Sequence, residues 1–167
     1  TGVNVQRGHT LDGLGKYYRE TIDESDAEPV DVVSVLKDSQ ADVLVENNLP
    51  AQMREWKLDY ATLAAHNPRL VMISITPFGQ TGPYSAMAAV DAVAQAMGGT
   101  LSLNGEADGP PMRIGVSIGD MAGGLYLAIG ILAALRARDI TGEGQLLDVA
   151  LMEAQIALCE NAIVRHS

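Results

Sequence analysis

The sequence predicts an α/β domain, a mostly parallel sheet flanked by helices, and three observations carry that prediction. Stretches with helical spacing alternate with short apolar runs along most of the 167 residues. The run at 70–75, LVMISI, is apolar nearly throughout, as a parallel strand covered on both faces would be. Aromatic residues make up only 4% of the chain while Ala, Leu, Val, Ile and Gly dominate, which suits close packing of helices on a sheet better than an aromatic-rich β-sandwich. With 47% apolar residues, the chain can bury one real core.

Taken in order, residues 1–15 are polar and glycine-rich without a clear period, and 17–26 are charged, so 1–28 is a segment of unclear structure. Residues 28–40 predict an amphipathic helix: Val32, Val33, Val35 and Leu36 are apolar, Asp31, Ser34, Lys37 and Asp38 are not, and Pro29 suits a first turn. A buried-type strand follows at 41–46, ended by the loop Asn47-Asn48-Leu49-Pro50. Residues 51–56 predict a helical turn, and 59–66 a short helix stopped by Asn67-Pro68. After the strand at 70–75, Pro77, Gly79, Gly82 and Pro83 mark 76–84 as a loop. Residues 91–97 predict a helix closed by Gly98-Gly99, and 105–111 (GEADGPP) a turn-rich link. A β-like run at 112–116 leads into Gly119-Asp120 and a long apolar helix pattern reaching Arg136. A turn at 141–144, a strand at 146–149 and one long amphipathic helix at 151–165 complete the chain. Three strands make a thin sheet, a Rossmann-like layer expected to be completed by a partner or by further chain.

The formal charge of −10 argues against nucleic acid and anionic membrane surfaces as partners. It also makes a polyanionic ligand harder to hold without a local basic pocket. Cys159 is the only cysteine, which excludes an intrachain disulfide, and its apolar neighbours predict an inert core thiol. The first residues show no basic-then-apolar signal pattern, and the longest apolar stretch, 121–135, contains three glycines and is short for a bilayer span. A cytoplasmic, soluble protein is the expectation. No dinucleotide-binding, P-loop or nucleophile-elbow pattern is met, and His9, His66 and His166 lack metal-ligand spacing. The loop at 76–84, at the end of a parallel strand, lies where α/β folds bind ligands.

Asp120 stands where the long helix begins. One reading makes it an N-cap, accepting hydrogen bonds from free amides and favoured by the helix dipole. The other makes it a reactive carboxylate whose neighbouring amides stabilise an anion on a bound substrate. Asp91 has the same ambiguity at the start of its own helix. Were the two to meet in one pocket, one would acquire a raised pKa and they could share acid–base work.

Several stretches together resemble one family. ADVLVEN at 41–47, NPRLVMISITPFGQTGPY at 67–84, VDAVAQAMGG at 90–99 and the run from Gly105 through GVSIGDMAGG to LLDVALMEA are similar to the family III CoA-transferases, the group of formyl-CoA and carnitine CoA-transferases and the related α-methylacyl-CoA racemases. The resemblance covers about residues 31–160. It implies that residues 29–167 are the large-domain core of that fold, lacking its opening βαβ segment and its C-terminal parts, and that the chain forms a homodimer.

The resemblance also implies a chemistry. Asp120 would be the nucleophile that carries CoA, through a covalent aspartyl intermediate, from an acyl-CoA thioester to a carboxylic acid, with no metal. Coenzyme A contacts would fall on Asn47, Asn48, Leu49, Glu55, Thr76, Pro77, Phe78 and Gly79. Val90 occupies the position where the racemases carry a histidine, which favours transfer over racemisation. The usual EN-x-RPG motif reads Glu46-Asn47-Asn48-Leu49-Pro50-Ala51 here, without its Arg and Gly. The alternative expectation is a catalytically inactive relative acting as a CoA-binding or dimerising module. A racemase- or lyase-like relative using Asp120 and Asp91 is a third.

Overall fold

The computed structural model describes residues 41–166. The helix expected at 28–40 and the segment 1–28 lie outside the described residues. Within them the order is β1 (Val43–Glu46), α1 (Pro50–Glu55), α2 (Tyr60–Ala64), β2 (Val71–Thr76), α3 (Asp91–Met97), a 3-10 turn (Thr100–Leu103), α4 (Ile118–Thr141), β3 (Gln145–Ala150), α5 (Leu151–Leu158) and α6 (Glu160–His166). The three strands form a parallel sheet in the order β1-β2-β3, as the alternation of segments predicts.

The period of two along each strand divides the core into two layers. In register, Val43 stands beside Val71 and Leu44 beside Met72. Leu44, Leu70 and Met72 pack with Met53, Leu58 and Leu63 from the α1–α2 side. Val71 and Ile73, on the other face, pack with Ala134 and with Leu127, Ile131 and Leu135 of α4. Both faces of β2 are therefore covered, which is why its sequence carries no polar alternation.

Helix α4 runs antiparallel to the strands and is tied down at its C-terminal end. Arg138 is buried there. It donates to the Asp42 carbonyl at 3.3 Å and the Arg69 carbonyl at 3.1 Å, and pairs with the Asp42 carboxylate at 2.9 Å. Those groups precede β1 and β2, so the opposite end of α4 points to the C-terminal edge of the sheet. A helix rises about 1.5 Å per residue, so the 24 residues of α4 outreach the strands, of which β2 and β3 have six residues. Its first turns overhang the strand ends. At 24 residues α4 is also long and apolar enough to cross a bilayer, longer than the apolar stretch 121–135 suggests. Its inner face is nevertheless seated on the sheet.

Two expectations are corrected. Residues 112–116 form no strand. Several of their backbone groups are met by side chains instead: Gln95 accepts from the Ile114 N–H at 3.0 Å and donates to the Val116 carbonyl at 3.2 Å, while Asn104 donates to the Met112 and Arg113 carbonyls at 3.4 and 3.3 Å. The helix expected over 151–165 is broken at Cys159, whose backbone leaves helical geometry at φ −85°, ψ 8°. No glycine or proline announces that break. The buried Cys159 thiol sits 3.7 Å from the Gly98 carbonyl, holding the junction against the end of α3. A groove of about 410 Å³ follows β3, lined by Tyr126 and Gly130 of α4, Leu146 and Asp148 of β3, and Glu153 of α5.

Candidate active site

The C-terminal edge of the sheet gathers the loop after β1, the loop after β2 and the start of α4. Glu46 closes β1 and is buried. Its carboxylate accepts the Asn48 N–H at 2.7 Å and the Ser74 hydroxyl, and Gln80 donates to that hydroxyl at 2.5 Å. The side chains thus couple the two loops that carry most of the expected CoA contacts. Asn47, Asn48 and Leu49 lie on the first. Thr76, Pro77, Phe78 and Gly79 lie at the start of the second, with Thr76 and Phe78 buried. The Thr76 hydroxyl accepts the Gly79 N–H at 2.9 Å, Gln80 donates its N–H to Asp148 at 2.9 Å, and the Pro77 carbonyl receives the Met152 N–H at 3.1 Å. Gly79 has φ +87° and faces the Asp148 carboxylate, a conformation suited to glycine. The loop is therefore clamped across the end of β3. Glu55 lies apart from these loops in sequence, exposed at the far end of α1.

Asp120 occupies the third position of α4 and is not its N-cap. Ser117 takes the cap position, with no side-chain hydrogen bond. The capping carboxylate comes from another helix: Asp91 Oδ1 accepts the Gly119 N–H at 2.7 Å. Asp91 Oδ2 accepts from Gln95 Nε2 at 2.6 Å and lies 3.9 Å from an Arg113 guanidinium nitrogen. Asp91 begins its own helix, as expected, but its carboxylate caps α4 instead of α3. The Gly119 amide is consequently occupied rather than free.

Packing makes Gly119 obligatory. A Cβ there would meet the Gln155 amide nitrogen, and Asp91 Oδ1 at 2.9 Å. Gln155 is fully buried; its Oε1 accepts the Thr100 hydroxyl at 2.6 Å, while its Nε2, pressed against Gly119, has no hydrogen-bond partner among the described residues. One turn on, a Cβ at Gly123 would meet Leu151 at 2.8 Å and Ile75 at 3.1 Å. Asp120 itself is exposed, and none of the described residues hydrogen-bonds its carboxylate. Its pKa is raised from 3.8, first by desolvation and then by the neighbouring charge of Asp91. The Asp91 charge thus reaches Asp120 across the start of α4. No group of three or more His, Cys, Asp or Glu suited to a metal occurs among the described residues.

The sequence model of the CoA-transferase family III matches residues 22–167. The chain belongs to that family. The family III chain is 43% identical over 125 residues to the succinyl-CoA–D-citramalate CoA-transferase of Chloroflexus aurantiacus, covering 75% of this chain and 31% of that protein. It is 44% identical over 121 residues to the succinate–glutarate CoA-transferase of Agrobacterium fabrum, covering 72% and 30%. The crystal structure of a CAIB/BAIF family protein from Brucella suis superposes with a TM-score of 0.76 at 39% identity, over 80% of this chain and 36% of that one. This family III chain spans about a third of the length of the curated relatives it matches.

Sequence reasoning missed Gln95, Arg113 and Gln155. Gln95 follows Asp91 by four residues, the spacing at which helical side chains meet, so that pair was available as a signal. Gln155, a lone amide in an apolar helix, marks a buried polar contact without naming its partner.

Proposed function

We propose that this chain carries the nucleophile of a CoA transfer between an acyl-CoA thioester and a carboxylic acid. The observation that carries the reading is Asp120: an exposed carboxylate without a hydrogen-bond partner among the described residues, held on an overhanging helix turn that a different carboxylate caps. The Asp120 carboxylate attacks the thioester carbonyl and expels CoA thiolate, leaving a mixed anhydride. The thiolate attacks the aspartyl carbonyl, releases the donor acid and forms an aspartyl thioester. The acceptor carboxylate and the thiolate then repeat these steps in reverse order, which restores Asp120 and delivers the new thioester. Dividing one difficult exchange into four acyl transfers is the gain of covalent catalysis. The names of the relatives, which include citramalate, glutarate and succinate, favour dicarboxylic acids as acceptors. Asn47, Asn48 and Leu49 and the clamped loop from Thr76 to Gly79 are the proposed CoA contacts, with Glu55 at their margin.

Incubation with a panel of acyl-CoA thioesters and hydroxylamine, followed by peptide mass spectrometry, tests this. A hydroxamate on Asp120 is the expected result; a folded protein that yields none with any thioester is better read as a CoA-binding or dimerising module. A homodimer is proposed on separate grounds. Leu125, Ile129, Leu132 and Ile140 are 67, 64, 70 and 72% exposed, an apolar face of α4 that the described residues leave open. Light scattering at micromolar concentration checks it, and a monomer mass counts against it.

A further inference from the structure

The stretch of chain that carries both Asp91 and Asp120 holds a single cationic side chain. Between residues 70 and 135 the only Lys, Arg or His is Arg113. Its side chain is 54% exposed, and its contact with Asp91 Oδ2 is long, at 3.9 Å. Asp91 does not depend on that contact. Its two oxygens already accept shorter hydrogen bonds, from the Gly119 N–H at 2.7 Å and from Gln95 Nε2 at 2.6 Å. Arg113 thus keeps most of its planar fork of donors unspent, and that fork matches a carboxylate in shape and charge.

The backbone that carries Arg113 is held on both sides. The Ile114 N–H donates to Gln95, and the Arg113 carbonyl accepts from Asn104. Gln95 is also the residue that holds Asp91, so one buried amide sets the position of the guanidinium relative to the base of the Asp120 turn. Asp91 adjoins both: it contacts Arg113 and its charge raises Asp120.

We propose that Arg113 is the specificity residue of the acceptor site, binding the non-reacting carboxylate of a dicarboxylic acid whose other carboxylate is presented to Asp120. This rests on the transferase reading and deepens it. A dicarboxylate keeps one negative charge through every acyl-transfer step, beside two aspartates in a chain of net charge −10. That charge needs a cation, and a monocarboxylic acid of the same length does not.

The test is equilibrium dialysis of labelled succinate and of butyrate against the purified protein at saturating CoA, with Arg113→Met and Arg113→Lys alongside. The wild type is expected to bind succinate about tenfold or more tightly than butyrate, the order of one charge-assisted pair. Arg113→Met brings succinate to the level of butyrate, Arg113→Lys retains part of the preference, and CoA affinity is unchanged in both. The proposal is overturned by equal binding of the two acids to the wild type, by a succinate preference that survives Arg113→Met, or by a loss in CoA affinity, which assigns Arg113 to a CoA phosphate. Binding requires no turnover. A protein that forms no hydroxamate but shows the Arg113-dependent preference therefore refutes the transferase reading alone.

Discussion

Asp91 caps a helix through a residue 28 positions after it: its Oδ1 accepts the Gly119 N–H at 2.7 Å. A helix start leaves amides without intrahelical partners, and an Asp is a favoured acceptor for them. Supplying that acceptor from α3 spares Asp120, one residue further on, from the task. The two aspartates share one helix end: Asp91 caps it, and Asp120 is left exposed.

Replacing Asp120 therefore separates chemistry from fold. Asp120→Asn is expected to abolish the hydroxamate, a loss of about 10³-fold or more, while helix content by circular dichroism stays unchanged. A loss of helix in this variant would show that the side chain caps after all.

The raised pKa of Asp120 sets two opposite pH dependences. A carboxyl that holds its proton more tightly when folded contributes most to stability where it is protonated. Its contribution declines as pH rises from 3.8, its value in the unfolded chain, through the higher folded value. Asp120→Asn is accordingly expected to raise the melting temperature slightly at pH 7 and not at pH 3. Covalent chemistry needs the ionised form, so hydroxamate yield falls as pH drops through that same raised value. Asp91→Asn removes the neighbouring charge and should move this acid limb to lower pH; an unmoved limb would assign the shift to desolvation alone.

Gly119→Ala places a methyl against the Gln155 amide and Asp91. Overpacking of this kind costs about 1–3 kcal/mol. Urea denaturation should register that loss, together with reduced adduct formation because the Asp120 turn is displaced. Gly144→Ala should cost more, since its Cβ would overlap the backbone of Leu70, and Gly144 donates to the Pro68 carbonyl at 2.8 Å. Gly124→Ala is the control, with open space around it.

Gln95→Leu keeps volume and removes three contacts at once: those to Asp91, Val116 and Ile114. Buried polar groups left unpaired cost about 1–3 kcal/mol each, so a loss of several kcal/mol is expected in chemical denaturation. Faster amide exchange at Ile114 would localise it.

Much of the fold was legible because the relevant signals are local. The apolar run at 70–75 needs no neighbour to be read as a covered strand, Asn67-Pro68 stops a helix by backbone sterics, and α3 occupies the residues that its Asp start and Gly-Gly end predict. The break at Cys159 and the unpaired course of 112–116 were not legible, because the residues that impose them, Gly98, Gln95 and Asn104, lie eight or more positions away in the chain.

The sequence by itself determined the α/β order, the strand that anchors the core and the family to which the chain belongs, and it singled out Asp120. Only the tertiary structure decided that Asp91 caps the helix of Asp120, that Gln155 closes against Gly119, and that Arg113 stands beside them. The physical reason is range. Strand and helix patterns follow from spacing along the chain, whereas a hydrogen bond joins whichever donor and acceptor packing brings within about 3 Å, and no spacing in the sequence records that meeting.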